Sequence, residues 1–210
     1  MKLTSQSFFD GGAIPGRCAF AVIDAVEHLK LSQNLNPELS WTQVPDGTRS
    51  FALLGIDHDA PSQPDDVNQE GRSVAAELPR VEFVHWAMID IPADTCGIAE
   101  GACSEGVTPK GKQTPVGPDG SRQGLNDYTS WFDGDADMAG RYKGYDGPCP
   151  PWNDERPHHY HFELLALDVA TLPVEGEFTA ADVRAAADGH VLGSAKIVGL
   201  YTLNPAVRIS

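Results

Sequence analysis

Three apolar runs in this chain have the composition and period of β-strands, and each carries polar groups where a strand core would ordinarily have none. Ser50 to Asp57 (SFALLGID) is an unbroken apolar run stopped by a carboxylate, the pattern of a strand buried on both faces. Val81 to Ile91 (VEFVHWAMIDI) is β-branched and aromatic, holds His85 in its middle and is ended by Pro92. His159 to Asp168 (HYHFELLALD) is a third strand, and His190 to Leu203 supplies one or two more. One helix is strongly marked over 180–188. Thr179 is suited to cap it, Asp182 places negative charge in its first turn, and Gly189 supplies the stop. A weaker helical stretch is expected around Ala21 to Leu29. Between Gly97 and Gly147 lies a long Gly- and Pro-rich segment without periodicity, and such loops are commonly functional. No repeat or linker interrupts the 210 residues, which suit one core. The expectation is a single, mainly β domain over 1–210.

Charge narrows the partners. Asp and Glu number 30 against 15 Lys and Arg, a formal net charge of −15. Such a field repels phosphate backbones and anionic lipid surfaces, so nucleic acid is not an expected partner. No run approaches the roughly 18 apolar residues of a membrane span, so no stable membrane insertion is expected. Met1 to Gly12 has one Lys and no apolar stretch of the secretory kind, which favours a cytoplasmic location. There Cys18, Cys96, Cys103 and Cys149 would be reduced thiols, although the spacing of Cys96 and Cys103 also allows a loop disulfide.

The polar groups on the strands fall into three segments. In Asp57-His58-Asp59-Ala60-Pro61, two carboxylates two residues apart point the same way if the chain is extended. They repel, so they call for a cation, a shared proton or N–H donors. The plainer reading is an Asx-type turn, in which the carboxylates satisfy local backbone. In the second segment, strict alternation places His85 with Val81, Phe83, Ala87 and Ile89, and puts Trp86 on the other face with Val84 and Met88. A lone His on an apolar face is usually a satisfied core residue. In the third, Gly147-Pro148-Cys149-Pro150-Pro151 is a stiff stretch poor in N–H donors, able to form a pocket wall. It is followed by His158-His159-Tyr160-His161-Phe162. There His158 and Tyr160 share a face and make a natural donor pair toward one ligand; a protonated His158 or His85 would attract an anion. The plainer alternative is a partly exposed strand edge. The strand faces divide the histidines and no His-Glu-x-x-His spacing occurs, so no metal is assigned. Gly106 to Gln113 (GVTPKGKQ) nearly matches a phosphate-binding loop, but Gln113 stands where Ser or Thr would hold magnesium, and Pro109 and Pro115 break the required context.

In this order, Asp57 to Pro61, Phe83-Val84-His85-Trp86, Ile91-Pro92-Ala93, Gly147 to Pro151, His158 to Phe162, Ala166-Leu167-Asp168 and Gly189 to Gly193 resemble the phosphatidylethanolamine-binding protein family. The closer resemblance is to its bacterial branch, the Raf-kinase-inhibitor-like proteins. It covers nearly the whole chain. It implies a β-sandwich of two antiparallel sheets with a few short helices, and a pocket at one end for phosphate-like groups. By motif position Asp57, Asp59, His85, His158 and Tyr160 would line that pocket, with Gly147, Pro148 and Pro151 as a wall. It also implies a homodimer. The chain departs from the family in having His58 where a Pro is usual. Its segments 67–80 and 130–143 look longer than is common in bacterial members.

Three functions are compatible with these residues. The first is a non-catalytic binding protein for a small phosphate- or carboxylate-bearing ligand such as phosphoethanolamine, with no cofactor and a kinase-inhibitor-like regulatory role as its extension. The second is a regulator that meets a protein partner through 67–80 and 130–143. The third is a hydrolase using His85 or His158 as base with Asp57 as orienter. No catalytic residue is assigned, because nothing marks a nucleophile or an oxyanion hole.

Overall fold

The computed structural model describes residues 1–209. Its long strands are the apolar runs: β6 (Ser50–Pro61), β7 (Arg80–Pro92), β10 (His158–Leu167) and β11 (Val191–Tyr201). With two short strands, β2 (Gly12–Ala13) and β9 (Arg122–Gln123), they form a six-stranded sheet in the order β2-β11-β10-β6-β7-β9. A smaller sheet packs on it, made of β1 (Lys2–Thr4), β5 (Leu39–Thr42) and β8 (Gly97–Ile98). Leu3, Leu39, Trp41 and Ile98 of the small sheet share one buried core with Phe51, Leu53, Trp86, Met88, Phe162 and Leu164. This is the expected sandwich with one amendment: β2 pairs with β11 in parallel, so the large sheet is mixed. The N-terminal segment runs along the β11 edge rather than turning back on it, bonding Val198 and Leu200 through Gly11 and Ile14.

The outer face of β6 is also covered, which is why SFALLGID is apolar without alternation. Ala52, Leu54 and Ile56 pack with Ala87, Ile89 and Leu165 under α2 (Ala180–Ala187), whose Val183 and Ala187 point inward. Thr179 and Asp182 close a reciprocal capping box at its start, and Gly189 at its end has φ +79°. A one-turn helix, α1 (Tyr128–Trp131), interrupts the long Gly- and Pro-rich segment.

The helix expected over Ala21 to Leu29 is instead a hairpin, β3 (Ala21–Asp24) and β4 (His28–Leu31). Asp24 decides the matter. Its Oδ1 accepts from the N–H of Val26 at 2.9 Å and of Glu27 at 3.2 Å, fixing a turn where a helix would need those donors elsewhere. The four cysteines are all unpaired thiols, so the Cys96–Cys103 loop disulfide is not formed.

Candidate functional site

Pairing across the large sheet sets Tyr160, Asp57 and Phe83 side by side on three neighbouring strands. All three line a cavity of about 650 Å³ at one end of the sandwich, together with His85, His158 and Pro151. Its walls come from elsewhere: Leu29 and Leu31 of the β3–β4 hairpin, Val67 of the segment after β6, Trp131 at the end of α1, and Phe132 and Met138 of the segment after it. Both long segments, 67–80 and 130–143, therefore contribute apolar wall to the same hollow.

His85 reaches this cavity through a β-bulge. Val84 pairs with Ile56 and Trp86 with Gly55, so His85 is an extra residue opposite no partner. The bulge corrects the alternation expected from sequence. Val84 and Ala87 face the α2 side, while Trp86 and Met88 enter the sandwich core and His85 the cavity. His85 is held twice by Asp146: its carbonyl accepts from the Asp146 N–H at 3.1 Å, and its Nδ1 donates to the Asp146 carbonyl at 2.7 Å. The Asp146 carboxylate is in turn fixed by Asn34 Nδ2 (2.8 Å), Asn126 Nδ2 (2.9 Å) and Lys112 Nζ (2.7 Å). Lys112, from the loop that imitates a phosphate-binding motif, is thus a partly buried structural partner. Burial pushes the His85 imidazole below its ordinary pKa, against the pull of Asp57. The ring is neutral at pH 7 with its proton on Nδ1. Nε2 has no hydrogen-bond partner among the described residues.

His158 has the opposite character. Nδ1 meets Asp57 Oδ2 at 2.6 Å and Nε2 meets Asp154 Oδ2 at 3.1 Å, both inside the protein. Burial works against charge, but the Asp57 and Asp154 carboxylates more than reverse it and raise the pKa to about 9. His158 is therefore an imidazolium with both donors already used. The expectation that it donates to a ligand alongside Tyr160 does not hold. Arg80 completes the chain, giving Nη1 to Asp154 Oδ2 at 2.5 Å and Nη2 to Oδ1 at 3.1 Å. Tyr160 differs: it is buried, its ring lies 5.1 Å from that of His85, and its hydroxyl has no partner among the described residues. The phenol pKa is pushed well up by burial, so it stays an O–H donor.

The two aspartates divide. Asp57 lines the cavity and its Oδ1 accepts the Asp59 N–H at 2.7 Å, which is the Asx-type turn. A second bulge, between Asp57 and Ala60, sends Asp59 away. Its carboxylate meets Arg156 and takes the His159 N–H at 2.8 Å and His159 Nδ1 at 2.7 Å. Asp59 is not among the cavity-lining residues, and the two carboxylates do not share a guest. Gly147 and Pro148 also stand behind the wall rather than in it. The Gly147 carbonyl accepts the Tyr128 hydroxyl at 2.8 Å, and the Pro148 carbonyl accepts the Phe20 N–H at 2.9 Å. A Cβ at Gly147 would lie 2.1 Å from the Cys18 carbonyl oxygen, so only glycine lets these backbones meet.

Several members of the site were not singled out from sequence. Asp146 and Asp154 are buried carboxylates in loops, where nothing local separates them from surface acids. Arg80 and Tyr128 likewise gain their roles only from packing. The one available signal was that a buried histidine and two carboxylates imply further counter-charges.

A family model described as "Phosphatidylethanolamine-binding protein" matches residues 4–202. The chain is 34% identical over 201 residues to a UPF0098 protein of Methanothermobacter thermautotrophicus, covering 96% of this chain and 98% of that one. It is 28% identical to the UPF0098 protein YbhB of Escherichia coli, covering 96% of this chain and all of that one (100%). Among solved structures, E. coli YbcL, described as a new member of the mammalian PEBP family, is similar with a TM-score of 0.67, 27% identity, and coverage of 96% and 97%. A putative phosphatidylethanolamine-binding protein homologue of Chlamydia trachomatis follows with a TM-score of 0.63, 26% identity, and 95% coverage of both chains. With its sandwich, its end cavity and a family match spanning nearly its full length, the chain belongs to the phosphatidylethanolamine-binding protein family.

Proposed function

We propose that this protein binds, without transforming it, a small amphiphilic molecule whose phosphate or carboxyl head sits against His85 and Tyr160. The observation that carries this reading is the Tyr160 hydroxyl, buried in a cavity wall with no partner among the described residues. An unmet buried donor costs about 1–3 kcal/mol, and a ligand oxygen would remove that cost. Nε2 of His85 offers a second polar contact on the same floor. The rest of the lining is mostly apolar, which suits an alkyl or aryl body rather than bare inorganic phosphate. Turnover has less support: His158, one candidate base, is locked between two carboxylates.

A regulatory extension of this reading would act at the cavity mouth. Trp131, Leu31 and Val81 at the cavity are 50%, 58% and 47% exposed, so a protein partner would find its apolar anchors where the ligand enters. Ligand and partner would then compete.

Calorimetric titration with phenyl phosphate, phosphoethanolamine and inorganic phosphate tests the binding reading. The expected result is saturable binding, at least about tenfold tighter for phenyl phosphate than for inorganic phosphate. His85→Ala should abolish it, and Trp131→Ala should weaken only the phenyl ester. Absence of binding by all three probes would overturn the reading.

A further inference from the structure

We propose that the cavity floor accepts its ligand's acid head together with one proton, so that the bound head is at once a donor and an acceptor, as in a singly protonated phosphate monoester or a carboxylic acid. This rests on the binding reading above and specifies the form of ligand it selects.

The inference follows from hydrogen-bond complementarity. His85 Nδ1 faces a carbonyl oxygen, which can only accept, so the ring proton must be on Nδ1. Nε2 is then a bare lone pair. The Tyr160 hydroxyl, on a ring centred 5.1 Å away, is an unmet donor. A fully ionised phosphate satisfies Tyr160 but sets an oxygen lone pair against the lone pair of Nε2. A head that carries one proton satisfies both, giving its O–H to Nε2 and taking the Tyr160 O–H.

The charges around the floor point the same way. Those facing His85 are carboxylates: Asp57 on β6, Asp127 just before α1, and Asp146 in the loop that carries its ring. The nearby cations are committed elsewhere. His158 lies between Asp57 and Asp154, Arg80 is bidentate on Asp154, and Lys112 is on Asp146. Tyr128, Tyr160 and Cys149 are neutral there, with burial pushing each of their pKa values up. Among the described residues, no uncommitted cation lines the floor to meet a dianion. The proton balance is simple: above the ligand's second pKa of about 6, a phosphate monoester dianion and one proton from solvent enter together, and the proton rests between a phosphate oxygen and Nε2. No covalent bond is made or broken.

The test is calorimetry of the full chain with phenyl phosphate at pH 8, in two buffers of different ionisation enthalpy. The expected result is uptake of close to one proton per ligand, with affinity falling about tenfold per pH unit above neutrality. Uptake near zero with a flat pH profile means the dianion is bound as such, and overturns the proposal while leaving the binding reading intact. Asp127 is the competing proton acceptor, since burial raises its carboxyl above the usual range. Asp127→Asn should keep the uptake and His85→Gln should lose it; the reverse pattern also overturns the proposal. If phenyl phosphate does not bind at any pH between 5.5 and 8.5, the binding reading itself has failed.

Discussion

At the scale of single residues, two histidines fewer than 80 positions apart in sequence have been given opposite chemistry by their neighbours. His158, between Asp57 and Asp154, is held protonated to about pH 9, well above the ordinary value of about 6.5. Because the folded state binds that proton more tightly, its stabilisation is fully present below about pH 6.5 and is lost as pH rises through about 9. The shift corresponds to about 3 kcal/mol. Urea denaturation at pH 6 and pH 9.5 should show a loss of that order, flattened in Asp154→Asn. Breaking the buried pair in that variant should itself cost roughly 3–5 kcal/mol. Tyr160→Phe has the contrary signature. It deletes an unmet donor, so stability should hold or rise by about 1 kcal/mol while phenyl phosphate affinity falls roughly tenfold. A destabilised Tyr160→Phe would show that the hydroxyl is satisfied within the protein.

At the scale of elements, the strands were legible because apolar runs and their end residues report burial directly. The cap of α2 was legible too: Thr179 and Asp182 act within four residues of one another. Thr179→Ala should cost about 1 kcal/mol, seen as a lowered denaturation midpoint with the cavity unchanged. The bulges were not legible. A period-2 reading places His85 opposite Trp86 and Asp59 beside Asp57, and both placements fail because an inserted residue reverses the faces beyond it. Both insertions show only in the β6–β7 pairing, one on β7 opposite Gly55–Ile56 and one within β6 between Asp57 and Ala60. The hairpin at β3–β4 failed as a helix for a local reason, the Asp24 turn, which apolar spacing does not report. The Pro-rich wall depends on a close approach of backbones. Gly147→Ala should therefore lose about 3 kcal/mol or more by thermal unfolding, since its Cβ would meet the Cys18 carbonyl.

At the scale of the whole molecule, two packed layers leave the cavity at one end, bury Cys18 and Cys103, and hold Cys149 half-buried in the cavity wall. Burial lifts Cys18 and Cys149 to about 12 and Cys103 to about 11, whereas Cys96 is exposed. Native alkylation with iodoacetamide at pH 8 should label Cys96 rapidly and the other three only on unfolding, by intact mass. Fast labelling of Cys149 would mean that the cavity wall opens. The family resemblance implied the sandwich and its end pocket; the sequence by itself determined a mainly β domain, its four long strands, the capped helix and the polar segments those strands carry. These follow from burial periodicity, capping chemistry and turn residues, all of which act over a few positions. Only the tertiary structure decided which of those polar groups face the cavity. Asp59, Gly147 and Pro148 turned away, His158 became a buried cation, and His85 and Tyr160 were left with unmet hydrogen-bonding groups. Those outcomes depend on bulge register and on counter-charges such as Asp146, Asp154 and Arg80, brought from distant loops. No pattern along the chain encodes which charge will find which.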